Sequence, residues 1–176
     1  DVYKRQMKKK AIESLSVQTK VVLPHDTNTL NTLFGGSLLA WMDEIASISA
    51  HRHCGRVVVT ASINNVSFDR PISSGEIVTL EAKVSRAFSS SMEVFVDVYV
   101  ENSNGTREKC NEAIFVFVAI DQNRNPINIP ALIPESLEEK DRFDSALRRK
   151  QLSLVLAGRL NPEDALELKA ALFPKL

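Results

Sequence analysis

The residues best suited to chemistry lie in one stretch, Asn28 to Cys54 (NTLNTLFGGSLLAWMDEIASISAHRHC). A polar loop leads into Gly35-Gly36 and then into a helix that is apolar almost all round, the pattern of a buried helix. Inside it stands one acid pair, Asp43-Glu44. A carboxylate part-way along a core helix is costly unless it is paired or used. If used, Asp43 can act as a general base on water or attack directly. Free backbone N–H groups at the helix start can hold negative charge developing on an oxygen. Gly35 and Gly36 let a substrate approach that backbone closely.

Each of these residues also has a plain reading. Asp43 can be a buried acid paired with an arginine from another element. Glu44 points about 100° away around the helix and suits a pairing or capping role. An isolated Asn28 is an ordinary turn residue, and Gly35-Gly36 does not make the Gly-x-Gly-x-x-Gly of a nucleotide fold. His51, His53 and Cys54 crowd one helix end, where consecutive side chains diverge, and no second cluster of matching spacing exists, so no metal is expected. Ser37 and the Ser89 to Ser91 run lack a nucleophile elbow. Arg148-Arg149-Lys150 reads as a solvated helix face.

The elements that must position these residues follow from patterning. Val17 to Leu23 has strand composition and ends at Pro24. The helix is expected from about Gly36 to Cys54, with Leu38, Trp41, Met42, Ile45 and Ile48 as its apolar rows and Gly55 as its stop. Arg56 to Phe68 is β-branched. Ile77 to Ala87 and Met92 to Val100 alternate as half-buried strands. Asn102 to Gly105 is a hairpin turn. Glu112 to Ile120 is a continuous apolar run, as in a central strand covered on both faces. After Pro134 the chain turns charged and helical, with a capped start at Asn161-Pro162. A long apolar helix among four or so antiparallel strands is buried only if the sheet curls around it. The expected class is therefore α+β: a hotdog fold over 17–134, an N-terminal segment 1–16, and a helical C-terminal extension 135–176. The tail leucines read as an oligomer contact.

The chain has 176 residues with 22 basic and 22 acidic side chains. That balance argues against general nucleic-acid or membrane-surface binding. Two cysteines make no disulfide framework and suit a reducing compartment, so the expected location is cytoplasmic. No apolar run approaches a membrane span, and nothing after Met7 reads as a secretory signal. Residues 1–6 precede Met7 and are expected to be a non-native remnant.

Four segments in order carry a family resemblance. They are Asn28…Leu33-Phe34-Gly35-Gly36…Trp41-Met42-Asp43-Glu44; Val59-Thr60-Ala61-Ser62; Phe68-Asp69-Arg70-Pro71-Ile72 with Gly75 to Val78; and Ser90-Ser91-Met92-Glu93-Val94. Phe115 to Ala119 completes the pattern. Over roughly Val17 to Pro134 the chain resembles the hotdog acyl-CoA thioesterases, in the branch of cytosolic acyl-CoA hydrolases. The resemblance implies hydrolysis of acyl-CoA to free acid and CoA with no metal or other cofactor. It implies Asp43 as the catalytic carboxylate, Asn28 as its partner from a facing subunit, and a homodimer that is often a trimer of dimers. Asn31 stands where relatives usually have glycine, and asparagine tolerates left-handed backbone better than most residues.

Beside that resemblance, the Gly36 amide is expected to polarise the thioester carbonyl. Gly35, Ser62, Arg70, Arg86 and Ser90 are expected at the substrate, with Lys83 and Arg56 as further cations for the CoA phosphates. One alternative is a hotdog module that binds acyl-CoA without cleaving it. A regulator of that kind usually carries a DNA-binding segment, and Lys8 to Lys10 is too short to be one. A hotdog dehydratase would need a histidine in the helix or the loop before it, and His25 and His51 fit poorly.

Overall fold

The computed structural model describes residues 7–173; the reading of residues 1–6 as a remnant lies outside them. The described chain forms two compact units that divide between Ile133 and Pro134.

In chain order, the first unit contains β1 (Lys8–Lys10), β2 (Ser16–Val21), α1 (Gly35–Cys54), β3 (Val57–Phe68), β4 (Ile77–Ala87), β5 (Ser91–Glu101), β6 (Arg107–Ile120) and β7 (Ala131–Ile133). Five strands make one antiparallel sheet in the order β2-β4-β5-β6-β3, and β1 pairs with β7 in parallel. One face of the sheet supplies the core: Val78, Leu80 and Ala82 of β4 register against Val100, Val98 and Val96 of β5, all at 0% exposure. Met92 and Val94 register against Phe117 and Phe115 of β6 in the same layer. Alternation over 77–87 accounts for β4, because residues two apart share a face of a strand. This is the hotdog architecture, a curled sheet against one long helix.

Helix α1 buries Leu38, Trp41, Met42, Ile45, Ala46 and Ala50. It is not covered all round, as its composition suggested. Ala40, Glu44, Ile48 and His51 form an exposed stripe, with Ile48 39% exposed. These positions are three or four apart, so they share one helix face, and one sheet covers only the opposite face. The helix ends at Gly55, whose φ of 62° is left-handed backbone that glycine adopts without strain.

Strand β6 begins at Arg107, five residues before the apolar run that marked it. Its polar first half is held by pairing with β5 through the Asn102–Thr106 turn. Edge strand β3 departs from regular pairing twice. Thr60 pairs with Phe117 while Ser62 pairs with Val116, leaving Ala61 as an extra residue. A second shift falls between Asn64 and Ser67, where Asn65 has φ 51°.

The second unit holds α2 (Leu137–Leu156) and α3 (Leu166–Leu172). A capping box opens α2: the Glu139 N–H donates to Ser136 Oγ, and the Ser136 N–H donates to Glu139 Oε2. The Leu168 N–H donates to Gln151 Oε1 at 2.9 Å and ties α3 to α2. Asn161 is a cap, but it opens a 3-10 turn over Pro162–Asp164 rather than the helix itself.

Candidate active site

Asp43 is the ninth residue of α1 and is half-buried at the border of the covered face. Among the described residues its side-chain hydrogen bond comes from Thr60 of β3, whose hydroxyl donates to Oδ1 at 2.8 Å. Among the described residues no arginine pairs with Asp43, so the plain reading of a buried structural ion pair finds no partner there. A hydroxyl donor keeps a carboxylate oriented and leaves lone pairs on both oxygens open to a substrate.

Thr60 was not singled out from the sequence. Strict alternation places residues 60 and 62 on one face, and Ser62 is the residue of that segment expected at the substrate. The extra residue at Ala61 breaks the alternation. Thr60 shares the core-side layer with Phe117, whereas Ser62 shares the opposite face with Val116. Within one chain Ser62 is thus turned away from Asp43, and its Oγ accepts a long 3.4 Å bond from Asn64 Nδ2. A threonine beside a strand irregularity and opposite a helical acid is the signal that would have pointed to it.

The start of α1 carries no side-chain cap and no acid in its first turn. The first helical hydrogen bond is Leu38 N–H to the Phe34 carbonyl, at 3.1 Å. The amides of the Gly35-Gly36 turn are therefore available to an incoming oxygen, as at any uncapped helix start. Two half-exposed rings flank this turn. A Cβ on Gly36 would come 2.9 Å from Phe34, and one on Gly35 would come 3.6 Å from Phe68.

The loop before the helix is closed by Asn28. Its Oδ1 accepts from the Leu30 N–H at 2.9 Å, and its Nδ2 donates to Thr32 Oγ1 at 2.9 Å. Asn31 takes φ 56°, the left-handed conformation its position requires, and its carbonyl accepts from the Ser74 N–H. Leu33 N–H to the Ile72 carbonyl, at 2.6 Å, fixes the loop to the segment after β3. Asn28 and Asp43 share no hydrogen bond within the chain.

The remaining expected residues are scattered. Arg70 donates to Glu76 Oε1 at 3.0 Å and approaches Glu108 at 3.6 Å, so its charge is committed to carboxylates rather than open to phosphate. It lines a pocket with Gly35. The Arg86 guanidinium lies 5.7 Å from the Phe88 ring. Ser90 lies in the β4–β5 turn, and its carbonyl accepts from the Ala119 N–H. Met92, Phe117 and Thr60 are in register across three strands, which puts this turn at the level of Thr60 but roughly 10 Å away.

The polar residues at the far end of α1 have structural partners. His51 Nδ1 lies 2.9 Å from the Arg56 carbonyl. His53 is 1% exposed, and its Nε2 donates to the Pro130 carbonyl at 2.9 Å. Burial lowers the His53 pKa below its ordinary value, and the Pro130 bond opposes that shift. Cys54 and Cys110 are buried and form no disulfide; burial raises the Cys110 thiol to about 11.

A family model described as the Thioesterase superfamily matches residues 30–106. The chain is 46% identical over 138 residues to an acyl-CoA thioester hydrolase of Bacillus subtilis, covering 78% of this chain and 80% of that protein. It resembles the crystal structure of an apo-hexameric acyl-CoA thioesterase with a TM-score of 0.83 and 38% identity, over 86% of this chain and 97% of that one. It also resembles an acyl-CoA hydrolase from Staphylococcus aureus in complex with butyryl coenzyme A, coenzyme A and coenzyme A disulfide. There the TM-score is 0.80 and the identity 37%, over 93% and 99% of the two chains. Mammalian relatives are longer: the chain spans 24% of a Mus musculus acyl-coenzyme A thioesterase.

Proposed function

This chain belongs to the thioesterase superfamily, and we propose that it is an acyl-CoA thioester hydrolase working through Asp43, Gly36 and Asn28. The observation that carries this reading is the Asp43 carboxylate held by Thr60 on the helix that also presents an uncapped Gly-Gly start.

In this reaction Asp43 takes a proton from water as the water oxygen bonds to the thioester carbonyl carbon. Negative charge gathers on the carbonyl oxygen and is held by the Gly36 amide. The C–S bond then breaks, and the CoA thiolate receives the proton, giving free acid and CoA. Each part acts where charge develops. No metal or redox step enters, so CoA is substrate and no cofactor is required.

Spacing decides how the parts meet. Gly36 and Asp43 are seven residues apart on one helix, roughly 10 Å along its axis. One carbonyl cannot touch both within a single chain. We therefore place the Gly36 turn and Asn28 of one copy opposite Asp43 and Thr60 of another. An amide NH2 has two donors. Asn28 uses one on Thr32 and keeps the other for the carbonyl or the water. The exposed stripe of α1 and the edge strand β3, with Val57 65% and Val59 44% exposed, offer the surface for this homodimer. A trimer of such dimers agrees with the hexameric relative. Two buried cysteines without a disulfide fit a cytoplasmic location; among the described residues no helix is long and apolar enough to cross a membrane.

The test is thiol release from acyl-CoA by wild type, Asp43→Ala and Asn28→Ala. Loss in both variants with folding intact supports the mechanism. An equimolar mixture of the two regains one intact site per heterodimer if the halves come from different copies. Full activity in Asp43→Ala would sink the mechanism, and binding without turnover by wild type would favour a non-catalytic module.

A further inference from the structure

The pocket beside the start of α1 has a volume of about 270 Å³. Gly35 and Leu38 of the helix form one side, and Phe68, Pro71 and Ile72 form the other. Leu38 and Ile72 are fixed walls at 2% exposure; Phe68 is 55% exposed and forms the movable one. The polar end is made by Arg70 and Asn111. Asn111 is 2% exposed, and its Oδ1 accepts from the Asp69 N–H. Arg70 is matched by two carboxylates, Glu76 at 3.0 Å and Glu108 at 3.6 Å. That end of the pocket carries no net positive charge.

A thioester carbonyl held at the α1 amides has two substituents to place. The sulfur leads to CoA, which is long, polar and anionic and needs open solvent. The alkyl chain needs an apolar wall, and the one provided begins at Gly35, adjacent to the amide that takes the oxygen. Resting on the hydrolase reading, we infer that this pocket takes the acyl chain. Phe68, as the movable side wall, limits its volume, and the Arg70–Glu76–Glu108 group turns away chains that end in a carboxylate.

The size gives a number. A methylene occupies roughly the volume of a liquid water, ~30 Å³, so the pocket holds at most about nine such units when full. Because the mouth is open, saturation is expected near eight carbons. Below that length each added methylene is expected to raise kcat/KM roughly fourfold, the value of its burial.

The test is kcat/KM over saturated acyl-CoAs from two to sixteen carbons, for wild type, Phe68→Ala and Gly35→Ala. A methyl on Gly35 would lie 3.6 Å from the Phe68 ring, an ordinary contact, so that variant keeps its fold while shortening the pocket. Phe68→Ala is expected to move the optimum to longer chains by two to four carbons, and Gly35→Ala to shorter ones. Glutaryl-CoA is expected to react at least 100-fold more slowly than pentanoyl-CoA. Glu76→Gln or Glu108→Gln should narrow that gap. Chain-length optima unchanged in both pocket variants would overturn the pocket assignment while leaving the hydrolase reading intact. If wild type hydrolyses no acyl-CoA, the hydrolase reading falls. The pocket is then decided by binding of uncleavable acyl-CoA thioethers: affinity that rises with chain length and shifts in Phe68→Ala upholds it, and affinity independent of length overturns it.

Discussion

The Thr60 hydroxyl of the edge strand donates to Asp43 Oδ1 of the central helix at 2.8 Å, and this bond joins the two elements at the proposed site. Thr60→Val keeps the shape and removes the donor. A hydrogen bond to a charged group contributes about 1.5–3 kcal/mol, so kcat is expected to fall by about 10- to 100-fold. Thr60 is exposed in the single chain, so the melting temperature should change little. Thr60→Ser should recover most of the activity. Steady-state kinetics of the three proteins decide it, and a Val variant as active as wild type would remove Thr60 from the mechanism.

Gly36→Ala separates stability from activity. The new methyl would meet Phe34 Cε1 at 2.9 Å, and that ring is 57% exposed and able to swing aside. Alanine within a helix is favoured over glycine by up to about 1 kcal/mol, so thermal stability should hold or rise. Obstructing the amide at the helix start is expected to lower kcat about 100-fold, as for loss of one oxyanion donor. A paired melt and rate measurement checks both.

His53 links stability to pH. Its folded pKa lies below the unfolded value near 6.5, chiefly through burial. Below pH 6.5 the unfolded chain therefore takes up a proton that the folded chain refuses. The contribution is complete above pH 6.5 and declines as pH falls toward the folded pKa, by at most about 1.4 kcal/mol per pH unit. Urea unfolding at pH 7.5, 6.0 and 5.0 should show that loss in wild type and a shallower one in His53→Gln.

Asn31 tests the loop that precedes the helix. At φ 56° a β-branched side chain meets the left-handed penalty of about 1–2 kcal/mol. Asn31→Val should lower the melting temperature by several degrees, whereas Asn31→Gly should be close to neutral. Equal melting points for the two variants would refute the conformational argument.

What the sequence revealed follows the range of each interaction. Alternation over Ile77 to Ala87 marked β4 at its observed ends because face parity is local. Gly55 marked the end of α1 for the same reason. The parallel pairing of Lys8–Lys10 with Ala131–Ile133 was invisible, since three lysines carry no strand pattern and the partner lies over a hundred residues away. The motif marks Asp43 and Asn28 as candidates, and the structure places Asp43 on the helix and Asn28 in the loop before it. Thr60 was hidden because one extra residue at Ala61 sets it on the opposite face from Ser62, and nothing local in the sequence marks that irregularity. The open stripe through Ile48 was likewise missed, because composition records that a helix is apolar and not how many sides are covered.

The two irregularities of β3 have a consequence for solution behaviour. Sheet edges that are long and straight recruit further strands without limit, the route to fibrils. The β3 edge is interrupted at Ala61 and again near Asn65, so it offers a neighbour only short straight runs. Such an edge suits closure with one matching strand and resists indefinite addition. The extra residue that sets Thr60 and Ser62 on opposite faces thereby also makes the exposed margin of the sheet a poor template for further strands.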